Sequence, residues 1–143
     1  MDQIKNIVIW GNHSATQYPD THHATVAGES LRAKVNDDAY LNEEFIQTVQ
    51  KRGQAIIAAM GKSSVASAAN AICDHMHDWW FGNQAGGWVS MGVICEAGAY
   101  GIDADLCFSF PCNVDSAGEW TIVEGLEIND FSRGKLDATM AEL

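Results

Sequence analysis

Ile4 to Trp10 is a β-rich run whose apolar character stops at Gly11. That pattern predicts a strand running into a loop. Residues 11–23 are polar and turn-rich, with Pro19-Asp20 as a turn signal. Thr25-Val26 and Leu31–Val35 read as short strands around Gly28. The period then changes. Leu41, Phe45, Val49, Ile56 and Met60 recur at helical spacing and predict one helix from about 37 to 60. Asn36 or Asp37 can cap it, Gly53 is a weak point within it, and Gly61 can stop it. Ser63 or Ser64 opens a second helix, to about Trp80, with Val65, Ala68, Ala69, Ile72, Met76 and Trp79 as its apolar stripe. Period two returns over Trp88–Ile94 and Leu106–Val114, and a turn at Asp115–Gly118 leads into Trp120–Val123. Asp130 to Leu143 reads as a closing helix capped by Asn129 or Asp130. The pattern is α+β, with no internal repeat and no linker, so residues 1–143 read as a single domain.

Composition agrees with a globular chain. Its 143 residues are 47% hydrophobic and 19% charged, and a domain of that length is ordinary. The formal net charge is −11. Such a surface argues against nucleic acid or an anionic membrane as partner, because both reward clustered Lys and Arg. It also repels anionic substrates at long range, so an anionic substrate needs local cations to capture it. The N-terminal stretch does not read as an export signal, and no run approaches a membrane span. The expectation is a cytoplasmic chain with reduced thiols. Cys73, Cys95, Cys107 and Cys112 form no CxxC pair and read as buried or idle. Asn12-His13-Ser14 is formally a glycosylation sequon, expected to stay unmodified without a secretory route.

Candidate chemistry centres on His13. It lies just past a strand end in a loop opened by glycine, and histidine suits proton transfer near neutral pH. Position alone leaves open an exposed loop histidine without a role. Asp20, His22 and His23 carry metal-ligand chemistry, but adjacent histidines in a turn face different ways, so they read as solvated. Cys73 and His77 share a helix face from which His75 points away, so that trio fails as a three-ligand site. No metal site is expected. Ser63 and Ser64 read as helix caps rather than nucleophiles. The glycines at 82, 86, 87, 98 and 101 make no GxGxxG between a strand and a helix, so the chain holds no dinucleotide fingerprint. Trp79-Trp80-Phe81 reads as core or interface rather than a ligand platform.

A wider pattern surrounds His13. Trp10-Gly11-Asn12-His13-Ser14 through Gln17-Tyr18-Pro19-Asp20 resembles the active-site histidine motif of the lactate/malate dehydrogenase family, in its cytosolic malate dehydrogenase form. The segments 47–53, Ser63-Ser64, 71–75, 80–82, 89–93, 108–111, 123–126 and 128–133 resemble the same group in order. The similarity covers nearly the whole chain.

That resemblance implies the catalytic, substrate-binding C-terminal half of the enzyme: long helices packed on antiparallel strands. An NAD-binding Rossmann half would precede it and is not in this sequence. It implies His13 as general acid/base in the interconversion of malate and oxaloacetate. Asn12, Ser63 and Ser64 would line the substrate and cofactor pocket. NAD would be bound mainly by the other half, and the enzyme would be a homodimer of malate metabolism. In the family, the orienting aspartate and the arginines that grip substrate carboxylates come from upstream. Arg32, Arg52 and Arg133 match none of those positions. Two alternatives stand beside this reading. One is a lactate dehydrogenase of malate dehydrogenase descent. The other is an isolated domain, inactive alone, that acts only in packing or dimerisation.

Overall fold

The computed structural model describes residues 3–83, 86–95 and 98–143; residues 1–2 of the N-terminal stretch lie outside it. The predicted strand over Ile4–Trp10 is two strands, β1 (Ile4–Lys5) and β2 (Val8–Trp10). Asn6 breaks them apart with φ +60, a left-handed conformation that asparagine tolerates. β2 pairs antiparallel with β3 (Tyr18–Asp20), Trp10 opposite Tyr18 and Val8 opposite Asp20. Pro19-Asp20 is therefore strand and not turn. Pro19 has no N–H to give, and this small two-stranded sheet tolerates it.

β4 (Thr25–Val26) pairs with both β1 and β5 (Glu29–Ser30). Leu31–Val35, expected as strand, is a helix, α1. Ser30 caps it by accepting from Ala33 N–H at 3.4 Å, and Asn36 ends it in the left-handed region. The local capping outweighs the β-leaning composition. The single helix predicted from 37 to 60 is also two, α2 (Asp38–Asn42) and α3 (Glu44–Met60). Asp37 caps the first through Tyr40 N–H at 2.9 Å. Glu43 lies between them at φ −120, ψ −78, outside helical values. The apolar spacing continues across that break, which is why periodicity does not reveal it. Gly61 closes α3 with φ +70, as expected.

α4 (Val65–Phe81) follows and buries none of its residues. β6 (Val89–Ile94), β7 (Cys107–Val114) and β8 (Trp120–Ile122) form the main antiparallel sheet, in that order. Between β6 and β7 a short 3-10 turn covers Ala99–Gly101. Phe108, Phe110, Cys112 and Val114 alternate inward along β7, the period-two signature of a strand with one face in the core. α5 (Asp130–Met140) closes the fold, and the Asn129 side chain caps it by accepting from Ser132 N–H at 2.9 Å.

The core joins β2, β3, β6, β7 and α5 through Trp10, Tyr18, Met91, Phe108, Phe110 and Leu136, all buried. Trp10 stands edge-on to Tyr100, with ring centroids 5.1 Å apart. The core therefore sits directly beneath the end of β2, where the histidine loop begins.

Candidate active site

Residues 11–17 form the loop between β2 and β3. Its entry is fixed by backbone pairing. Gly11 exchanges two hydrogen bonds with Ser109 of β7, its N–H donating at 3.1 Å and its carbonyl accepting at 3.0 Å. Ser109 Oγ donates to Ile9 O at 2.7 Å, and Ile9 N–H donates to Ser90 Oγ at 3.0 Å. The loop thus springs from a strand locked onto the main sheet.

A second anchor comes from the end of α5. Asn12 N–H donates to Thr139 Oγ1 at 3.0 Å, and Thr16 Oγ1 lies 3.0 Å from the same oxygen. Ser14 and Thr16 hydroxyls both donate to Glu142, which the Asn12 side chain also reaches. These donors hold the Glu142 carboxyl below its ordinary range, Ser14 contributing most. Within the loop, Thr16 N–H donates to Ser14 Oγ at 3.1 Å, a local turn of the kind serine favours. His13 is exposed, and its imidazole makes no hydrogen bond among the described residues. The loop is therefore held while the ring projects free.

Behind the loop lies a buried polar cluster around Asp20, which is fully buried. Its Oδ2 accepts from Trp10 Nε1 at 3.1 Å and pairs with His23 Nδ1 at 2.8 Å. Its Oδ1 accepts from His22 N–H at 2.7 Å. Burial opposes the charge on Asp20, but the bonds from His23, His22 and Trp10 outweigh it and lower its pKa. The Asp20 hydrogen bond raises the pKa of His23. His22 moves the other way, because burial and the nearby Arg32 outweigh its contact with Asp20. Tyr18 Oη bridges His22 Nδ1 at 3.2 Å and Ser132 Oγ at 2.9 Å. Burial raises the Tyr18 phenol pKa strongly. His22 and His23 are thus largely buried partners of Asp20, contrary to their reading as solvated side chains. Among the described residues no group of His, Cys, Asp and Glu could hold a metal ion.

The other sequence candidates fall elsewhere. Ser64 precedes α4 without capping it through its side chain; its Oγ lies 2.5 Å from Ser67 Oγ. Ser63 O accepts from Val65 N–H at 3.0 Å. None of these bonds reaches the His13 loop. Trp79, Trp80 and Phe81 are exposed, so they are not core. Cys95 and Cys112 are buried, whereas Cys73 and Cys107 are exposed; all four are free. Thr139, Glu142 and Ser109, which hold the loop, carry no signal in the sequence that links them to it.

The family of lactate/malate dehydrogenases, alpha/beta C-terminal domain, matches residues 1–143. The chain belongs to this family. It is 54% identical to the cytoplasmic malate dehydrogenase of Mesembryanthemum crystallinum, over all of this chain and 44% of that relative. The fold superposes on the malate dehydrogenase of Naegleria fowleri with a TM-score of 0.91 at 46% identity, covering 99% of this chain and 43% of that one. A lactate dehydrogenase of Trichomonas vaginalis, solved with NADH and oxamate, also gives 0.91 at 36% identity, covering 99% of this chain and 44% of that one. The chain spans less than half the length of the relatives it matches. As a domain of this family it carries the histidine loop. Two of its three arginines are engaged within the domain, while Arg52 on α3 is exposed. Arg32 binds Thr21 and pairs with Asp38 at 2.6 Å, and Arg133 pairs with Asp137 at 2.9 Å.

Proposed function

We propose that the chain is the substrate-binding, catalytic domain of an NAD-dependent malate dehydrogenase, with His13 as general acid/base. The observation that carries this reading is the His13 loop itself. Gly11 ties its entry to β7, and Asn12 and Thr16 tie it on either side of His13 to Thr139 of α5, yet the imidazole is exposed and unpaired. A held backbone with a free ring suits proton exchange with a group brought to it from outside the domain. In the malate-oxidising direction, His13 takes the proton from the C2 hydroxyl. In the reverse direction it returns a proton to the C2 oxygen of oxaloacetate.

In this reading the described residues do not supply the main cofactor cradle. Gly82 ends α4, Gly98 caps the start of the three-residue 3-10 turn and Gly101 ends it, so none of them opens an α-helix after a strand. The cofactor is held mainly by chain beyond these residues, and when bound it supplies the hydride acceptor. Asn12, Ser63 and Ser64 belong to the pocket wall in this reading, Asn12 supported by its place beside His13. Arg32 and Arg133 are committed to contacts within the domain, and Arg52 stands on α3 rather than on the His13 loop, which favours a substrate-carboxylate clamp supplied from outside the domain. The name of the Mesembryanthemum relative supports a cytoplasmic location. The exposed apolar face of α4 supports a homodimer, or packing on the rest of the enzyme.

The test joins the chain to a nucleotide-binding half from a cytoplasmic malate dehydrogenase and follows NADH oxidation with oxaloacetate. His13→Asn is expected to lower the rate by roughly a hundredfold or more, the usual scale for general acid/base catalysis. An unchanged rate would remove His13 from this role. The equal superposition on the Trichomonas lactate dehydrogenase gives a second reading, with pyruvate as substrate. Comparing pyruvate with oxaloacetate in the same enzyme decides between them.

A further inference from the structure

α5 buries three residues, Ser132, Leu136 and Thr139. Their spacing of four and three places them on one helix face. An apolar residue is the expected occupant of the last position on such a stripe. Thr139 instead brings a fully buried hydroxyl, on a residue that costs some helix propensity. A polar group in that place needs partners. Both partners it has outside its own helix lie on the His13 loop: Asn12 N–H at 3.0 Å and Thr16 Oγ1 at 3.0 Å. They flank His13 on either side.

Gly11 completes the fit. A Cβ on residue 11 would come within 2.4 Å of Thr139 Oγ1, and the backbone there has φ +94. Thr139 therefore occupies the space that any other residue at 11 would need. The imidazole of His13 has no hydrogen-bonding partner of its own. Within this domain its position is consequently set by the backbone that carries it, and that backbone is tied at residue 12 to Thr139.

We propose that Thr139 is a positioning residue for His13, its hydroxyl accepting the Asn12 N–H and fixing the direction in which the loop presents the ring. The proposal rests on the reading of His13 as the acid/base group. Valine at 139 keeps the shape but leaves the Asn12 N–H without its partner. Serine keeps the acceptor and drops the methyl.

The experiment compares the unmodified chain with Thr139→Val and Thr139→Ser by amide exchange and histidine NMR. The Asn12 amide is expected to be protected in the unmodified chain. Thr139→Val should speed its exchange roughly tenfold or more, the scale of one lost hydrogen bond. It should also broaden or split the His13 ring signals while the Phe110 amide in β7 stays protected. Thr139→Ser should restore both signals. In the enzyme joined to a nucleotide-binding half, Thr139→Val should lower kcat roughly tenfold with the cofactor KM unchanged, and Thr139→Ser should recover most of it. An unprotected Asn12 amide in the unmodified chain would overturn the proposal, even if the valine variant fails to fold. Equal behaviour of the valine and serine variants would overturn it too. If His13→Asn leaves turnover intact, the acid/base reading fails, and the Asn12 exchange still reports separately on the Thr139 bond.

Discussion

The backbone of Gly11 passes so close to Thr139 that a Cβ on residue 11 would lie 2.3 Å from Thr139 Cγ2. Non-bonded carbons do not approach that closely, so one side must move. The strand β2 cannot yield easily, because Gly11 is paired with Ser109. Gly11→Ala is therefore expected to destabilise the domain by about 2 kcal/mol, combining overpacking with an unfavourable positive φ. Thermal unfolding measures this. Adding Thr139→Ala to Gly11→Ala should recover part of the loss, since it removes Cγ2 and Oγ1 but leaves Cβ, 2.8 Å away. Strict additivity of the two changes would show that the clash is not the cause.

His23 and Asp20 make a pH-dependent contribution to stability. The folded-state pKa of His23 is raised, chiefly by its hydrogen bond to Asp20. Its stabilisation is therefore full below the unfolded pKa of about 6.5 and disappears as pH rises through the folded value. His23→Gln should accordingly cost more stability near pH 5.5 than near pH 8, about the interval that brackets a histidine. Melting temperatures at the two pH values test the sign. NMR titration should also place the His23 pKa above that of His22, which burial and Arg32 lower. The reverse order would contradict the geometry of the cluster.

Thiol reactivity should divide the four cysteines into two pairs. Burial pushes the Cys112 thiol up to about 11, and Cys95 is buried as well. Cys73 on α4 and Cys107 on β7 are exposed. A thiolate must form and be reachable to react. An aromatic disulfide reagent at neutral pH should label Cys73 and Cys107 quickly in the folded chain, and Cys95 and Cys112 only after denaturation. Fast labelling of Cys112 in the native state would mean that β7 does not pack as described.

The sequence exposes those parts of the fold whose cause is local. The alternation of Phe108, Phe110, Cys112 and Val114 announces β7, because every second residue must face the core. Asn129 announces the start of α5, because its side chain caps the helix it precedes. His13 is legible as a histidine at a strand end. Its anchors are not: Thr139 and Glu142 lie at the far end of the chain, and only the packing of α5 beside β3 brings them to the loop. The same holds for Asp20, which looks like a turn residue until Trp10 and His23 are folded over it. The break at Glu43 and the helix at Leu31–Val35 arise from caps and backbone angles that hydrophobic spacing does not encode.

α4 presents the largest unmet demand of the fold. Ile72 is 64% exposed, Trp80 73% and Phe81 63%. Burying an exposed side chain of this size is worth about 2 kcal/mol, and contiguous apolar surface of this kind marks an interaction face. The 143-residue chain on its own is therefore expected to self-associate, as a second copy offers the same apolar face. Sedimentation or light scattering should show a species larger than 15.5 kDa at tens of micromolar, about the range where a weak isologous contact forms. Trp80→Ser with Phe81→Ser should return it to a monomer with its far-ultraviolet circular dichroism intact, because neither side chain contributes to the core. A monodisperse monomer in the unmodified chain would overturn this expectation and show that α4 tolerates water.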